Sequence, residues 1–539
     1  MASARRKYPV GIQSFEFIRN GGYVYVDKTP LIYKMITEGK PYFLSRPRRF
    51  GKSLLVDTLA MVFEGRRELF DEITLKNGEV QPRLFIATTD WEWEHYPVLR
   101  FDFSKSNLSS LEKLDEFIDF TLTGYEGQYG VSPSKNSSSI RMTNIIHAAE
   151  LQMGKKVVVL VDEYDNMMLH NLGDTAMQTA IRERFQDLFM PLKGEDAHLQ
   201  FIFITGISKF SQMGIFSRIN QLENISMQSA YDTVCGISEE ELTTVLRPDI
   251  ELLAGQQGVD YDAMLSELKT NYDGYHFGMG QNDMYNPFSL FKSFANVDVS
   301  DYWFESGTIS ALIDMLSKMP PVDLSSIEGV RCPSSAFDLP FDSYDMPLPI
   351  LYQSGYLTIK SYQPDRKMFV LGLPNGEVRR GFADCLFRLI TNIRPGDRNQ
   401  TVFLDAYYDF RDSGDLPAFI AALQTFYAGV PYHLEQGNEN EHYYHALLYT
   451  LLVSFGADIA CEEPTAKGRA DLTLKMPKGI YIMELKYGKS ADEALQQINE
   501  RGYASKYALD GRPVIKVGLA FSQEERNITE WKSVKNGKM

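Results

Sequence analysis

Two groups of residues in this chain have types and spacings that could do chemistry on phosphates. The first lies in "SRPRRFGKSLL" and "VVVLVDEYD". A strand that stops, a turn that aims its N–H groups inward and a helix that begins there together make an anion site. Gly51-Lys52-Ser53 closes such a turn. Lys52 would offer a point charge to outer phosphates and Ser53 an oxygen to Mg2+. The generic loop wants a glycine at position 46, where this chain has Arg46. Pro47 can fix one backbone angle there instead, and Arg46, Arg48 and Arg49 would add positive charge near a triphosphate. Arg46, Pro47, Arg48, Arg49, Phe50, Gly51, Lys52, Ser53 and Leu54 are therefore the candidate nucleotide-binding loop (Walker A). Asp162 and Glu163 close an apolar run, a poor place for carboxylates unless they bind something. Asp162 would hold Mg2+ through water, and Glu163 would polarise the attacking water (Walker B). Thr205 and Ser208, in "LQFIFITGISKFS", are placed to sense the outer phosphate. Each motif alone is also compatible with an ordinary helix start or an acidic turn. The pair in this order, each after its own apolar run, is harder to obtain by accident.

The second group lies in "GRADLTLKMPKGIYIMELKYG". Asp471, twelve residues, then Glu484-x-Lys486 would converge if the stretch folds as a hairpin about "PKG". Glu484 and Lys486 would share one face. Two carboxylates make an oxygen-ligand site suited to Mg2+, and Lys486 can orient or activate water. Glu441, in the first turn of a preceding helix, could supply a third carboxylate, and the following helix offers Gln496 or Gln497, with Tyr503 beyond. A surface hairpin with an ordinary Glu–Lys pair would read the same by spacing alone. The apolar "IYIM" before Glu484 favours a central strand.

The elements that must position these residues follow from the hydrophobic pattern. "PYFLS" (41–45), "VLRFDFS" (98–104), "VVVLVD" (157–162) and "LQFIFITG" (199–206) read as buried strands between amphipathic helices, an α/β sheet. Together with the two motifs this is the pattern of an ATPase with an additional strand between the two motif-bearing strands, a role assigned to "VLRFDFS". From Ser238 to about Thr425 the texture is helical, punctuated by "DGYHFGMG" and "YNPFS". Near residue 430 it changes to helix, two strands and helix, and "YHLEQGNENEHYY" (432–444) reads as the best boundary. The expected domains are 1–235, a P-loop core; 236–300, a helical lid; 301–430, a helical connecting region; and 431–539, a small α/β domain.

Length and composition bound the rest. At 539 residues, 44% apolar and 23% charged, the chain is globular and long enough for several domains. Runs such as "VVVLV" are too short to span a bilayer. No apolar stretch follows the basic residues of the amino-terminal segment, so no secretory signal is expected. Cys235, Cys332, Cys385 and Cys461 stand far apart without metal-ligand spacing, which argues against structural zinc and fits a reducing cytoplasm. The net charge of −16 is uneven: residues 1–53 carry +8, residues 441–539 carry +1, and the body between them −25. That balance neither excludes nor demands a polyanionic ligand at either end.

The stretch "GIQSFEFIRNGGYVYVDKTPLIYKMI…FLSRPRRFGKSLL" resembles the bacterial AAA-ATPase-like family, whose members typically carry a PD-(D/E)XK nuclease-like domain at the C-terminus. "TGISKFS", "NYDGYHFG", "YNPFSL", "YWFESGT", "LYQSGYLTIK" and "LGLPNGEVR" extend the resemblance over nearly the whole chain. It implies an additional-strand P-loop core and a restriction-endonuclease-like C-terminal α/β domain, with Arg in place of the first loop glycine as a family trait. It also implies Lys52, Ser53, Asp162 and Glu163 for ATP and Mg2+, and Glu441, Asp471, Glu484 and Lys486 with Gln497 for the nuclease-like site. Ala470-Asp471 stands where Pro-Asp is usual.

Two functions are compatible with this reading. One is an ATP-driven or ATP-gated nuclease acting on DNA or RNA, by analogy in defence against foreign nucleic acid. The alternative is an ATP-dependent switch or scaffold whose C-terminal domain binds nucleic acid or protein without cleaving it. Lys467, Arg469, Lys475, Lys489, Arg501 and Lys506 are candidates for a nucleic-acid groove. Arg218 is a candidate arginine finger, and a homo-oligomer is left open because such ATPases can need a neighbour's arginine. His276, alone among aromatics, reads as structural.

Overall fold

The computed structural model describes residues 6–39, 41–105, 110–171, 174–208, 222–280, 282–306, 316, 324–338, 348–391, 398–429, 441–465, 468–522 and 524–535. Arg218, Lys467 and residues 432–440 of the linker-like stretch lie outside these. Two compact units divide the chain: 1–306 with 329–377, and 307–328 with 378–539.

The first unit is built on a five-stranded sheet of β1 (Pro41–Ser45), β2 (Val98–Asp102), β3 (Val157–Asp162), β4 (Leu199–Gly206) and β5 (Glu223–Asn224), in spatial order β2-β3-β4-β1-β5. All four pairings are parallel. Every residue of β3 is buried, as expected of a parallel strand covered on both faces, whose sequence needs no alternation. The additional strand between β1 and β3 is therefore β4. The sequence reading gave that role to residues 98–104, but β2 pairs only with β3, at the sheet edge. Chain order misled here because parallel strands need not neighbour in space those they neighbour in sequence.

Helix α1 (Lys52–Phe63) follows β1 directly and buries nine of its twelve residues. Helices α2 (Leu111–Gln128), α3 (Ser138–Met153) and α4 (Thr175–Phe189) complete the layers. Helices α5 (Arg247–Gln257), α6 (Tyr261–Tyr272) and α7 (Pro287–Asn296) bury Ile250, Leu268, Tyr272 and Phe294 in a cluster with Tyr8 and Val24. Asn286 of "YNPFS" caps α7, its side chain accepting from the N–H groups of Phe288 and Ser289.

The stretch expected to be a helical connector also holds a three-stranded antiparallel sheet: β6 (Val330–Pro333), β7 (Thr358–Gln363) and β8 (Met368–Gly372), with β8 central. Its short strands carry no clean alternation; β7 is buried at Thr358 and Ile359 and largely open beyond. That is why a period-two signal was absent.

The second unit contains α8 (Gly376–Thr391), whose first two residues belong to the first unit, α9 (Arg398–Ser413), α10 (Leu416–Ala428), α11 (Glu441–Ser454) and α12 (Ala491–Arg501). Its sheet orders β9 (Ile459–Thr465), β10 (Gly468–Met476), β11 (Gly479–Tyr487), β12 (Val514–Ser522) and β13 (Asn527–Lys535) consecutively. The pairs are antiparallel except β11 with β12, which α12 connects as a parallel crossover. Among the described residues, no helix is long and apolar enough to cross a membrane.

Candidate functional site

At the carboxyl end of β1 the chain turns through Arg46–Gly51 into α1. Lys52 is buried, and its Nζ donates to the carbonyl oxygens of Arg46 (3.0 Å) and Pro47 (2.9 Å). Burial lowers its pKa, opposed by Glu163, Asp162 and Asp165. Ser53 faces Asp162, the last residue of β3, and favours its ionised form. Burial pushes Asp162 up to about 6, and no group among the described residues partners its buried Oδ1. Two non-glycine residues adopt left-handed backbone at this edge, Arg49 (φ 69°) and Glu163 (φ 51°). Such conformations cluster where a site dictates the backbone. Arg48 and Arg49 face Glu163 electrostatically, and Arg49 also stacks on Phe288, 4.7 Å from the ring centre.

Arg46 behaves differently from the sequence expectation. Its guanidinium is buried and donates to the carbonyls of Ser45 (2.9 Å), Ser226 (2.7 Å) and Tyr231 (3.1 Å), beneath the Phe277 ring at 4.3 Å. Its charge is spent on backbone oxygens of 226–231 and is not presented toward Lys52. Phe50 is likewise buried, edge-on to Tyr275 and Phe277 of "DGYHFG". Pro47 is overlaid by Gly355 of "LYQSGY", where a Cβ would come 2.6 Å from the proline ring. His276 pairs with Asp283 at 3.0 Å. Gly51 and Leu54 border an apolar cavity with Val24, Val26, Val234 and Phe291.

Thr205 donates to the Leu44 carbonyl across the sheet (2.7 Å), and Ser208 is fully buried against the Tyr164 hydroxyl (3.2 Å). The sequence reading missed Asp165. Its buried carboxylate accepts from the N–H groups of Ile207 (3.0 Å) and Ser208 (2.5 Å), fixing the segment that follows β4. A Cβ on Gly206 would meet Asp165 Oδ1 at 2.5 Å, so this approach requires glycine. The signal was present as a second aspartate three positions after Asp162 and a glycine ending the neighbouring strand.

In the second unit β10 and β11 pair through Leu472 and Met483, with Asp471 and Glu484 the next residues outward. Asp471 Oδ2 accepts from the Leu485 N–H at 2.9 Å. Glu484 is fully buried; Lys486 Nζ approaches its Oε1 at 3.3 Å, and Gln497 donates to the same oxygen. Glu484 Oε2 is buried with no partner among the described residues. Glu441 Oε1 accepts from Lys486 Nζ (3.0 Å) and Oε2 from the Tyr487 N–H (3.2 Å). Burial, then the nearby Asp471, raise the Glu484 pKa, while burial raises Asp471. For Lys486 burial opposes the charge, but Glu441, Glu484 and Asp471 outweigh it and hold its pKa above the ordinary lysine value.

The structure thus brings together Glu441, Asp471, Glu484, Lys486 and Gln497, and it separates the two glutamines. Gln497 faces Glu484 and is backed by the Tyr503 hydroxyl, whereas Gln496 is exposed and bonds Glu500. His445 was not anticipated; its Nε2 lies 2.9 Å from the Asp471 carbonyl and 3.4 Å from Cys461 Sγ, bracing β10 beside the carboxylate. Of the groove candidates, Lys506 is paired with Glu463 at 2.7 Å and Lys475 lies over Tyr507. Arg469, Lys489 and Arg501 are exposed.

A parallel sheet with a lysine-bearing strand-to-helix turn, and a mixed sheet with paired carboxylates and lysine, define an ATPase-like core joined to a nuclease-like domain. The comparisons agree. Residues 9–216 match the family described as "Predicted AAA-ATPase", and residues 439–531 match the PD-(D/E)XK nuclease superfamily. A relative from Azotobacter chroococcum mcd 1, described as "Uncharacterized protein in vnfD 5'region", is 33% identical over 536 residues, covering 97% of this chain and 98% of its own length. The chain belongs to the family of predicted AAA-ATPases that carry a PD-(D/E)XK nuclease superfamily domain at the C-terminus.

Proposed function

We propose that this protein binds and hydrolyses ATP and uses that cycle to control a metal-dependent nuclease domain that hydrolyses phosphodiester bonds in DNA or RNA. The proposed division of labour is an ATPase core at 1–235, a lid at 236–300, a connecting region at 301–430 and the nuclease at 431–539. The observation that carries the nuclease reading is the buried, unpartnered Oε2 of Glu484 beside Asp471. A buried carboxylate oxygen is costly unless something accepts its lone pairs, and an all-oxygen pair suits Mg2+. Asp471 and Glu484 would hold that ion, which when bound supplies Lewis-acid polarisation of the scissile phosphate. Lys486 is held by Glu441 beside the pair, placed to orient the attacking water and to stabilise charge on the phosphate. Gln497 and the Leu485 N–H fix the two carboxylates in orientation.

The ATPase reading is supported by Ser53, Asp162 and the orphaned Asp162 Oδ1, a donor set that fits Mg2+, and by Lys52 at the first turn of α1. ATP bound there supplies the phosphoryl group. Lys52 would exchange the loop carbonyls for phosphate oxygens, and Glu163 would orient water.

The decisive experiment measures cleavage of labelled single- and double-stranded DNA and RNA with Mg2+ or Mn2+, with and without ATP. Cleavage lost in Glu484→Ala and changed in its ATP response in Lys52→Ala establishes the reading. ATP hydrolysis without cleavage of any substrate overturns it in favour of a switch or scaffold.

A further inference from the structure

At the end of the first unit's sheet opposite the lysine-bearing turn, His147, Glu195 and His198 place ligand-type atoms within 4.8 Å of one another. His147 lies near the end of α3, and Glu195 and His198 lie in the turn that leads into β4 at Leu199. This is the amino end of β4, whereas Ser45 pairs with Gly206 at its carboxyl end beside the lysine-bearing turn. An eight-residue strand separates the two edges by about 20 Å.

We propose that His147, Glu195 and His198 form a site for a divalent transition metal of the zinc class. The distances fit such an ion. Glu195 Oε2 stands 2.7 Å from His147 Nε2 and 3.9 Å from His198 Nε2. A tetrahedron with bonds of about 2.0–2.1 Å has edges of about 3.3 Å, midway between the two, and the edge between His147 and His198 is no longer than 4.8 Å. The chemistry fits as well. Two imidazoles and one carboxylate suit zinc and cobalt and are a poor match for Mg2+ or Ca2+.

The second observation is the other nitrogen of His198. Its Nδ1 is hydrogen-bonded to Glu150, one helical turn after His147. A carboxylate on the distal nitrogen is the arrangement that orients metal-bound histidines: it fixes the tautomer and leaves Nε2 with its lone pair facing Glu195. His147 and Glu150 share a face of α3 through their i, i+3 spacing. The cluster therefore has three ligands, an orienting carboxylate and a solvent-facing side, since the His147 side chain is 49% exposed. Metal would replace the proton between His147 Nε2 and Glu195 Oε2, with that proton released to solvent. Three protein ligands leave the fourth position to water.

The full-length protein, stripped with chelator and kept free of nucleotide and Mg2+, would be titrated with Co2+, followed by visible absorption and by Zn2+ competition. Wild type and Glu484→Gln are expected to show the absorption of tetrahedral cobalt, bleached by Zn2+. His147→Gln and His198→Gln are expected to lose one equivalent with unchanged circular dichroism. Glu150→Gln should retain it with affinity about 10–100-fold weaker. If a histidine variant fails to fold, Glu195→Gln serves in its place. Identical titrations of wild type and these variants, or a loss seen only in Glu484→Gln, overturn the proposal.

Discussion

Lys486 and Glu484 stand two residues apart on β11, with Nζ 3.3 Å from Oε1, and yet both are pulled toward their protonated forms. For Glu484 burial is the main cause and Asp471 the second, and together they push it up to about 8. The lysine does not neutralise this carboxylate outright because Glu441 shares it at 3.0 Å.

A pH dependence follows. Without metal, the folded state keeps a proton on Glu484 that the unfolded chain releases near the ordinary value of 4.5. Stability from this group is therefore complete below about 4.5 and lost as pH rises through about 8. Metal-free wild type is expected to melt at progressively lower temperature from pH 5 to 8, whereas Glu484→Gln shows a shallower decline. Calorimetry of both proteins in chelator checks it; parallel declines refute the assignment. Metal affinity should rise over the same interval, because binding must displace that proton.

Gln496 and Gln497 offer an internal control. Gln497→Ala removes the donor to Glu484 Oε1 and should weaken metal binding at that site about 10–100-fold. Gln496→Ala loses only a surface bond to Glu500 and should leave it unchanged. Isothermal titration with Mn2+ measures both, and equal effects would remove Gln497 from the site.

Glu163→Gln should leave ATP binding intact and lower hydrolysis about 10²–10⁴-fold, the range for loss of a positioned general base. Lys52→Ala should lower binding itself. Equilibrium binding of a fluorescent ATP analogue, set beside phosphate release, separates the two variants; hydrolysis undiminished in Glu163→Gln would require another base.

Arg46→Gly restores the residue of a generic phosphate loop and is expected to destabilise the protein. It strips partners from the buried carbonyls of Ser226 and Tyr231 and leaves a void under Phe277. Costs of this kind run on the order of 2–4 kcal/mol. Urea unfolding gives the number, and an unchanged midpoint would mean the guanidinium contributes nothing.

Much of the site was legible because chemistry at strand ends is written in short motifs. Asp162 after "VVVLV" and Glu484 after "IYIM" are carboxylates at places where burial forbids idle charge. What stayed hidden depends on neighbours distant in sequence. The placement of 199–206 between β1 and β3 is a matter of pairing, which an apolar run does not encode. The inward turn of Arg46 depends on carbonyls some 180 residues later, and His445 shows its purpose only where α11 meets β10. The choice between Gln496 and Gln497 needed the phase of α12, which its capping box at Ser490 and Glu493 sets.

The grip of Arg46 also bears on how the protein acquires its nucleotide loop. A glycine-rich loop takes shape locally, as soon as its strand and helix exist. Here the turn is tied by Arg46 to Ser226 and Tyr231 and roofed by Gly355, so its contacts span much of the first unit. Such a loop rests on contacts distant in sequence, whose closure carries a larger entropic cost than a local turn. A chain emerging from the ribosome, or a fragment ended before Tyr231, has the Gly-Lys-Ser sequence without the cradle, so the nucleotide binding proposed above would require the assembled unit.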